Sequence, residues 1–141
     1  VNDVTRTRRD VRVIFKELPI LSDQSMQAAR AAIASIPQGR YWQFHRALMA
    51  HRGELDPDSI DAIARQAGID VARMRRDMIN PEITALLEEN RAQAMNYNIS
   101  GTPGFVINGE LVPGFDRERL DARLRQAARE ARERPRADAQ R

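Results

Sequence analysis

The sequence predicts an α/β domain: one strand, a block of about four helices, a β-hairpin and a final helix. Three observations carry this. A β-branched run, Val11-Arg12-Val13-Ile14-Phe15, stands near the start. Helix-start signals then recur at Ser22, Asp56, Asp70 and Asn80, each followed by apolar residues at helical spacing. Finally, NISGTPGFVINGELVPG, from Asn98 to Gly114, reads as a turn, a strand, a two-residue hairpin and a returning strand.

Residues 1–10 are polar and charged, without periodicity. Val11–Glu17 follows as the expected strand and ends before Pro19, which has no N–H for a ladder. Ser22 is an N-cap with Asp23 in the first turn, and Met26, Ala29, Ile33 and Ile36 recur at helical spacing until Pro37 and Gly39. A second helix is expected over about residues 40–51, with Tyr41, Phe44 and Leu48 on one stripe and Trp42 and Met49 beside it. His45 falls near that stripe and reads as a partly buried, hydrogen-bonded histidine. Asp56-Pro57-Asp58 combines an N-cap, a proline at the first helical position and an acid in the first turn. Ile60, Ile63, Ala64 and Ala67 form that helix's apolar face, and Gly68 terminates it. Asp70 caps a short helix with Val71, Met74 and Met78 inward. Asn80-Pro81-Glu82 opens a longer one to about Tyr97, with Ile83, Leu86, Leu87, Arg91 and Ala94 in register. Asn108-Gly109 tolerates positive φ at both hairpin positions. Asp116 caps the last helix, Leu120, Leu124, Ala127 and Ala131 make its stripe, and Pro135 ends it.

Composition excludes several functions. The chain has 141 residues, the size of one domain, and 42% are hydrophobic, enough for a real core. No apolar run approaches a membrane span. VNDVTRTRRDVRVIF lacks the apolar stretch of a signal peptide. With no cysteine, the chain itself can form no disulfide, thiolate metal site or thiol nucleophile. His45 and His51 are six residues apart and lie on different helix faces, so no shared metal is expected. Net charge is +3. From Arg117 to Arg141, nine arginines alternate with six acids counted from Asp116, the look of a solvated, ion-paired helix rather than a nucleic-acid surface.

Four stretches together resemble the DsbA-like branch of the thioredoxin superfamily: VRVIFKELPIL, YWQFHRALMAH, LDPDSIDAIARQAGIDVARMRRDM and, above all, NISGTPGFVINGELVPGFD. The resemblance spans about residues 11–126. It implies a thioredoxin-like fold with a helical insertion over about residues 22–97, a polar segment at 1–10 and a polar tail at 135–141. It implies the activity of an exported, periplasmic thiol–disulfide oxidoreductase that acts on client proteins, needs no cofactor and is served by a membrane redox partner. Thr102-Pro103 is expected to be a cis bond. Gly101, Thr102 and Pro103 are expected to bind the client as an extended peptide by strand addition, with Gly101 permitting close approach.

The departure from the family is the Cys-x-x-Cys pair, which is absent with its helix and with the first core strand. No catalytic residue is therefore expected in this chain. By resemblance, that strand lies between the strands matching Val11–Glu17 and Phe105–Ile107. Each buried backbone group left without its partner costs about 1–3 kcal/mol. The expectation is a truncated, redox-inactive part of a longer oxidoreductase that folds poorly alone or associates through open strand edges. Three alternatives differ in class: a redox-dead peptide-binding or chaperone module, a relative of the kappa-class glutathione transferases, and an arginine-rich nucleic-acid binder. The first needs a stable fold without cysteine. The second would also have lost its active-site segment, and the third is opposed by the interleaved acids.

Overall fold

The computed structural model describes residues 8–133. Six α-helices and two strands follow in order: α1 (Asp23–Ala34), α2 (Tyr41–Ala50), α3 (Pro57–Gln66), α4 (Val71–Asp77), α5 (Pro81–Asn96), β1 (Gly104–Ile107), β2 (Glu110–Pro113) and α6 (Arg117–Glu133). A 3-10 turn, Ile36–Gln38, joins α1 to α2. The chain forms two compact units, one of residues Lys16–Gln93 and one of the segments on either side of it.

The helix starts follow from capping. The side chains of Ser22, Asp56, Asp70 and Asp116 each accept the N–H three residues on, at 2.7–3.2 Å. Asn80 Oδ1 accepts the Glu82 N–H at 2.9 Å. Each cap satisfies a donor that the first helical turn leaves open. Gly68, at φ 77°, is left-handed just past α3, where a residue with Cβ would be strained.

In the Lys16–Gln93 unit, α1 supplies a floor of small residues, Ala28, Ala29, Ala31, Ala32 and Ala34, all buried. Phe44, Ile60 and Met74 are completely buried against it, with Leu48, Ile63, Ile83 and Leu87 closing the core. Ala28, Ala31 and Ala32 repeat every three or four residues, which lets neighbouring helices approach closely. Met49, placed beside the α2 stripe by spacing, is instead 67% exposed.

In the other unit, β1 and β2 form an antiparallel hairpin with Gly104 opposite Pro113 and Ile107 opposite Glu110. Asn108 (φ 49°) and Gly109 (φ 85°) both take positive φ, as a two-residue primed turn requires. Val112 of β2 and Leu120 and Ala127 of α6 are buried, as is Ala94 near the end of α5.

Two expectations need correction. Val11–Glu17 is not a strand; the segment has neither helix nor ladder. Its β-branched residues satisfy propensity, but a strand exists only where a neighbour takes its hydrogen bonds, and the sheet of the described residues holds β1 and β2 alone. Arg91, placed on the inward stripe of α5, is exposed, and Asn90 is buried in its place. Ile83, Leu87, Asn90 and Ala94 follow the helical repeat more closely. The end of the last helix at Pro135, the tail and residues 1–7 lie outside the described residues.

Candidate functional site: the Gly101-Thr102-Pro103 loop

The loop begins at the end of α5. Asn98, at φ 55°, is the left-handed residue that stops the helix. Its N–H bonds to Met95 O at 3.0 Å, and the Ile99 N–H bonds to Ala94 O at 2.8 Å. This is the paired closure of a Schellman motif, with Ile99 and Ala94 at its apolar contact positions. The loop is thus anchored by the helix at one end. At the other, Gly114 N–H donates to Pro103 O at 3.0 Å, which extends the hairpin pairing one residue beyond β1.

Between these anchors Gly101, Thr102 and Pro103 are exposed, and the Thr102–Pro103 peptide bond is cis. All three line a shallow cleft of about 200 Å³, shared with Ile99, Leu111 and Gly114. No Asp, Glu, Lys or Arg occurs between Arg91 and Glu110. What the loop offers a ligand is main-chain N–H and C=O groups beside a strand, together with small neutral side chains.

Within the chain, Gly101 and Gly104 have different surroundings. A Cβ at Gly101 would meet nothing within 4 Å, and no positive φ is required there. Close approach within the chain belongs to Gly104, where a Cβ would sit 3.1 Å from Ile99 Cγ2. Gly104 is the residue that packs loop and strand together.

A second polar cluster lies in the Lys16–Gln93 unit. Tyr41 Oη donates to Glu17 Oε1 at 2.7 Å, and His45 Nδ1 lies 2.9 Å from the same oxygen. The Tyr41 and Trp42 rings stack on His45 at 5.5 and 6.0 Å. Asn90 Nδ2 donates to the Glu17 carbonyl at 3.0 Å, and Lys16 Nζ donates to Asn90 Oδ1 at 3.4 Å. Burial, then the Glu17 charge and its hydrogen bond, push the Tyr41 phenol well above its ordinary value, so it stays a donor. The cluster fastens the Lys16–Glu17 segment to α2 and α5. His45 is partly buried and hydrogen-bonded, as its position on the α2 stripe predicts. Glu17 as the centre of the cluster had no local sequence signal, because its partners are 24, 28 and 73 residues away.

Among the described residues no group of three or more His, Asp and Glu is placed to hold a metal ion. The loop carries the hydroxyls of Ser100 and Thr102, and the chain has no cysteine.

The DSBA-like thioredoxin domain matches residues 1–125. This chain belongs to that family. A thioredoxin-like oxidoreductase from Silicibacter pomeroyi is 37% identical, with a TM-score of 0.84 over 95% of this chain and 76% of its own. The thiol-disulfide exchange protein alpha-DsbA2 from Wolbachia pipientis is 27% identical, with a TM-score of 0.76 over 92% of this chain and 72% of its own. The catalytic domain of Proteus mirabilis ScsC, at 23% identity and a TM-score of 0.77, shares the fold. The family's DsbA-like thiol–disulfide oxidoreductase fold is thus present without the thiols. Two curated relatives are Na(+)/H(+) antiporters: NhaA 1 of Salinispora arenicola, 32% identical over 92% of this chain, and NhaA 3 of Salinispora tropica, 31% identical over 89%. The chain spans about a fifth of the length of these curated relatives, 20% of each. No helix of the described residues is long and apolar enough to cross a membrane.

Proposed function

We propose that Gly101, Thr102 and Pro103 hold a client protein as an extended peptide, and that this chain is the client-facing part of an exported thiol–disulfide oxidoreductase. The observation that carries the reading is the exposed, charge-free loop, anchored at both ends and continuous with β1. Such a loop recognises a peptide by its main chain and makes little demand on client sequence. A thiolate from outside this sequence would do the redox chemistry, with a membrane redox partner restoring it. Because the antiporters align over only a fifth of their length, the solved oxidoreductases guide the reading rather than ion exchange.

The test is a titration of the isotope-labelled chain with an unfolded client-type peptide whose cysteine is replaced by serine. Amide shifts are expected at Gly101 and Thr102. Thr102→Ala should leave affinity within about threefold, roughly 0.6 kcal/mol, because the main chain makes the contact. Shifts elsewhere, or none, would sink the assignment.

The absence of cysteine favours a second reading, a redox-inactive peptide-binding or chaperone module. Translating the genomic DNA upstream of the Val1 codon in frame separates the two. A Cys-x-x-Cys there supports the oxidoreductase. An in-frame stop directly upstream leaves the binding module.

A further inference from the structure

The Asn108-Gly109 turn of the hairpin carries a reaction of its own. A main-chain nitrogen attacks the preceding asparagine side chain most readily when that nitrogen belongs to glycine, which has no Cβ to crowd the ring that forms. Asn108 is the one asparagine in the chain followed by glycine. We propose that Asn108 is a site of spontaneous deamidation, gated by opening of the hairpin, and that its isoaspartate product unpairs β1 from β2. The inference goes beyond the peptide-binding reading of the Gly101–Pro103 loop and does not depend on it.

Access to the reacting groups is open. Asn108 and Gly109 are both exposed, and a Cβ at Gly109 would meet nothing within 4 Å. The first ladder pair is Ile107 with Glu110, so the Gly109 N–H lies outside the ladder. Conformation is what holds the reaction back. The φ values of 49° and 85° are those of a type I′ turn. Such a turn sets ψ at its first central residue to about +30°, which aims the Gly109 nitrogen away from Asn108 Cγ. The side-chain amide is held as well, since Asn108 Nδ2 donates to Ala127 O of α6 at 3.4 Å. Both restraints lapse when the hairpin lifts from α6. Val112 alone of the β1 and β2 residues is buried, so little apolar surface opposes that opening.

The chemistry needs only water. The Gly109 N–H loses its proton to hydroxide, and the nitrogen forms a bond to Asn108 Cγ. The Cγ–Nδ2 bond breaks, ammonia leaves, and a succinimide ring remains. Water then opens either ring carbonyl. One opening gives aspartate. The other gives isoaspartate, in which the main chain runs through Cβ and Cγ. The two products differ in consequence. Aspartate tolerates positive φ as asparagine does, so the turn survives and only the bond to Ala127 O is lost. Isoaspartate adds a carbon to the main chain of a two-residue turn, which then no longer sets Ile107 opposite Glu110.

The test holds the full 141-residue chain at mildly alkaline pH and follows it by peptide mass spectrometry, with a protein-isoaspartate O-methyltransferase to label isoaspartate. The amide-to-acid mass gain should fall on the peptide holding Asn108, with isoaspartate present, and not on those holding Asn90, Asn96 or Asn98. Arg123 ties the hairpin to α6 through Glu110 and Ile107 O. Arg123→Ala should therefore speed conversion about fivefold or more, the rise in open population that loss of a modest tie brings. Urea below the unfolding transition raises the same population in the parent and should also speed conversion, a check that needs no variant. In the separated isoaspartate form, amide exchange at Ile107 should quicken about tenfold or more, whereas Asn108→Asp should leave it within about threefold of the parent. An Asn108 that stays intact in the variant and in urea overturns the site. Equal conversion rates in parent, variant and urea overturn the gate. Unchanged Ile107 exchange in the isoaspartate form overturns the unpairing.

Discussion

Gly104 shows how little room the loop has. A methyl group there must push Ile99 aside by a few tenths of an ångström, because the built contact is 3.1 Å. Gly104→Ala should destabilise by about 1–3 kcal/mol, the usual cost of overpacking. The control is the double variant with Ile99→Ala. Its thermal shift should fall short of the sum of the two single shifts if the contact is the cause. Gly101→Ala should leave the melting temperature nearly unchanged. The Asp56 cap makes a pH prediction. Backbone hydrogen bonding from Ser59 holds its carboxyl below the ordinary value of 3.8. A carboxylate with a depressed folded pKa stabilises fully above the unfolded value, and that stabilisation is lost as pH falls through the folded pKa. Asp56→Ala should lower the melting temperature at neutral pH, and the gap to the parent should close in acid. A gap that is the same at both pH values would refute the carboxylate's role.

At the scale of elements, Arg123 ties the hairpin to α6. Its guanidinium reaches Glu110 at 2.7 Å, Glu130 at 3.4 Å and Ile107 O at 3.4 Å, and its side chain is only 10% exposed. Glu110 is 65% exposed and Glu130 40%, so both regain water if the arginine is removed. The cost of Arg123→Ala should therefore be about 1–2 kcal/mol rather than that of a stranded buried charge. Exchange of the β2 amides should quicken, while α3 and α4 should be unaffected. Arg123 and Asn90 share a lesson. Both sit on the helical repeat of apolar neighbours, Leu120-Ala127 and Ile83-Leu87-Ala94, yet the stripes read from the sequence ran through Leu124 and Arg91 instead. Their polar chemistry argued for the surface, and each is buried because it found partners, Glu110 for one and Glu17 with Lys16 for the other. The five helix starts from Ser22 to Asp116 and the Asn108-Gly109 turn, in contrast, were fully legible in sequence.

Across the whole molecule, the two units differ in how much apolar surface they bury. The sixteen-residue core cluster lies entirely within Lys16–Gln93. Among the described residues, the other unit's buried apolar side chains are Ala94, Val112, Leu120 and Ala127. Burial supplies most of the driving force for ordering a chain. Amides of the hairpin should therefore exchange well before those of α1 and α3, at neutral pH and without peptide. Equal protection in both would show that the hairpin unit is stabilised by something other than its visible core. Phe44→Ala, which empties a fully buried site, should cost about 3–5 kcal/mol. That is a large share of the roughly 5–15 kcal/mol that holds a domain together.

The sequence by itself determined what is decided within a few residues: the capped helix starts, the primed hairpin turn, the neutral loop at Gly101-Thr102-Pro103 and the absence of thiol chemistry. Each depends on local geometry or on simple presence of an atom. Tertiary structure alone decided which β-branched segment became a strand, that Glu17 gathers Tyr41 and His45, and that Gly104 packs closely against Ile99. Those outcomes depend on partners far away in the chain. Val11–Ile14 and Phe105–Ile107 have similar composition, yet only the second has a neighbour within a two-residue turn to take its hydrogen bonds.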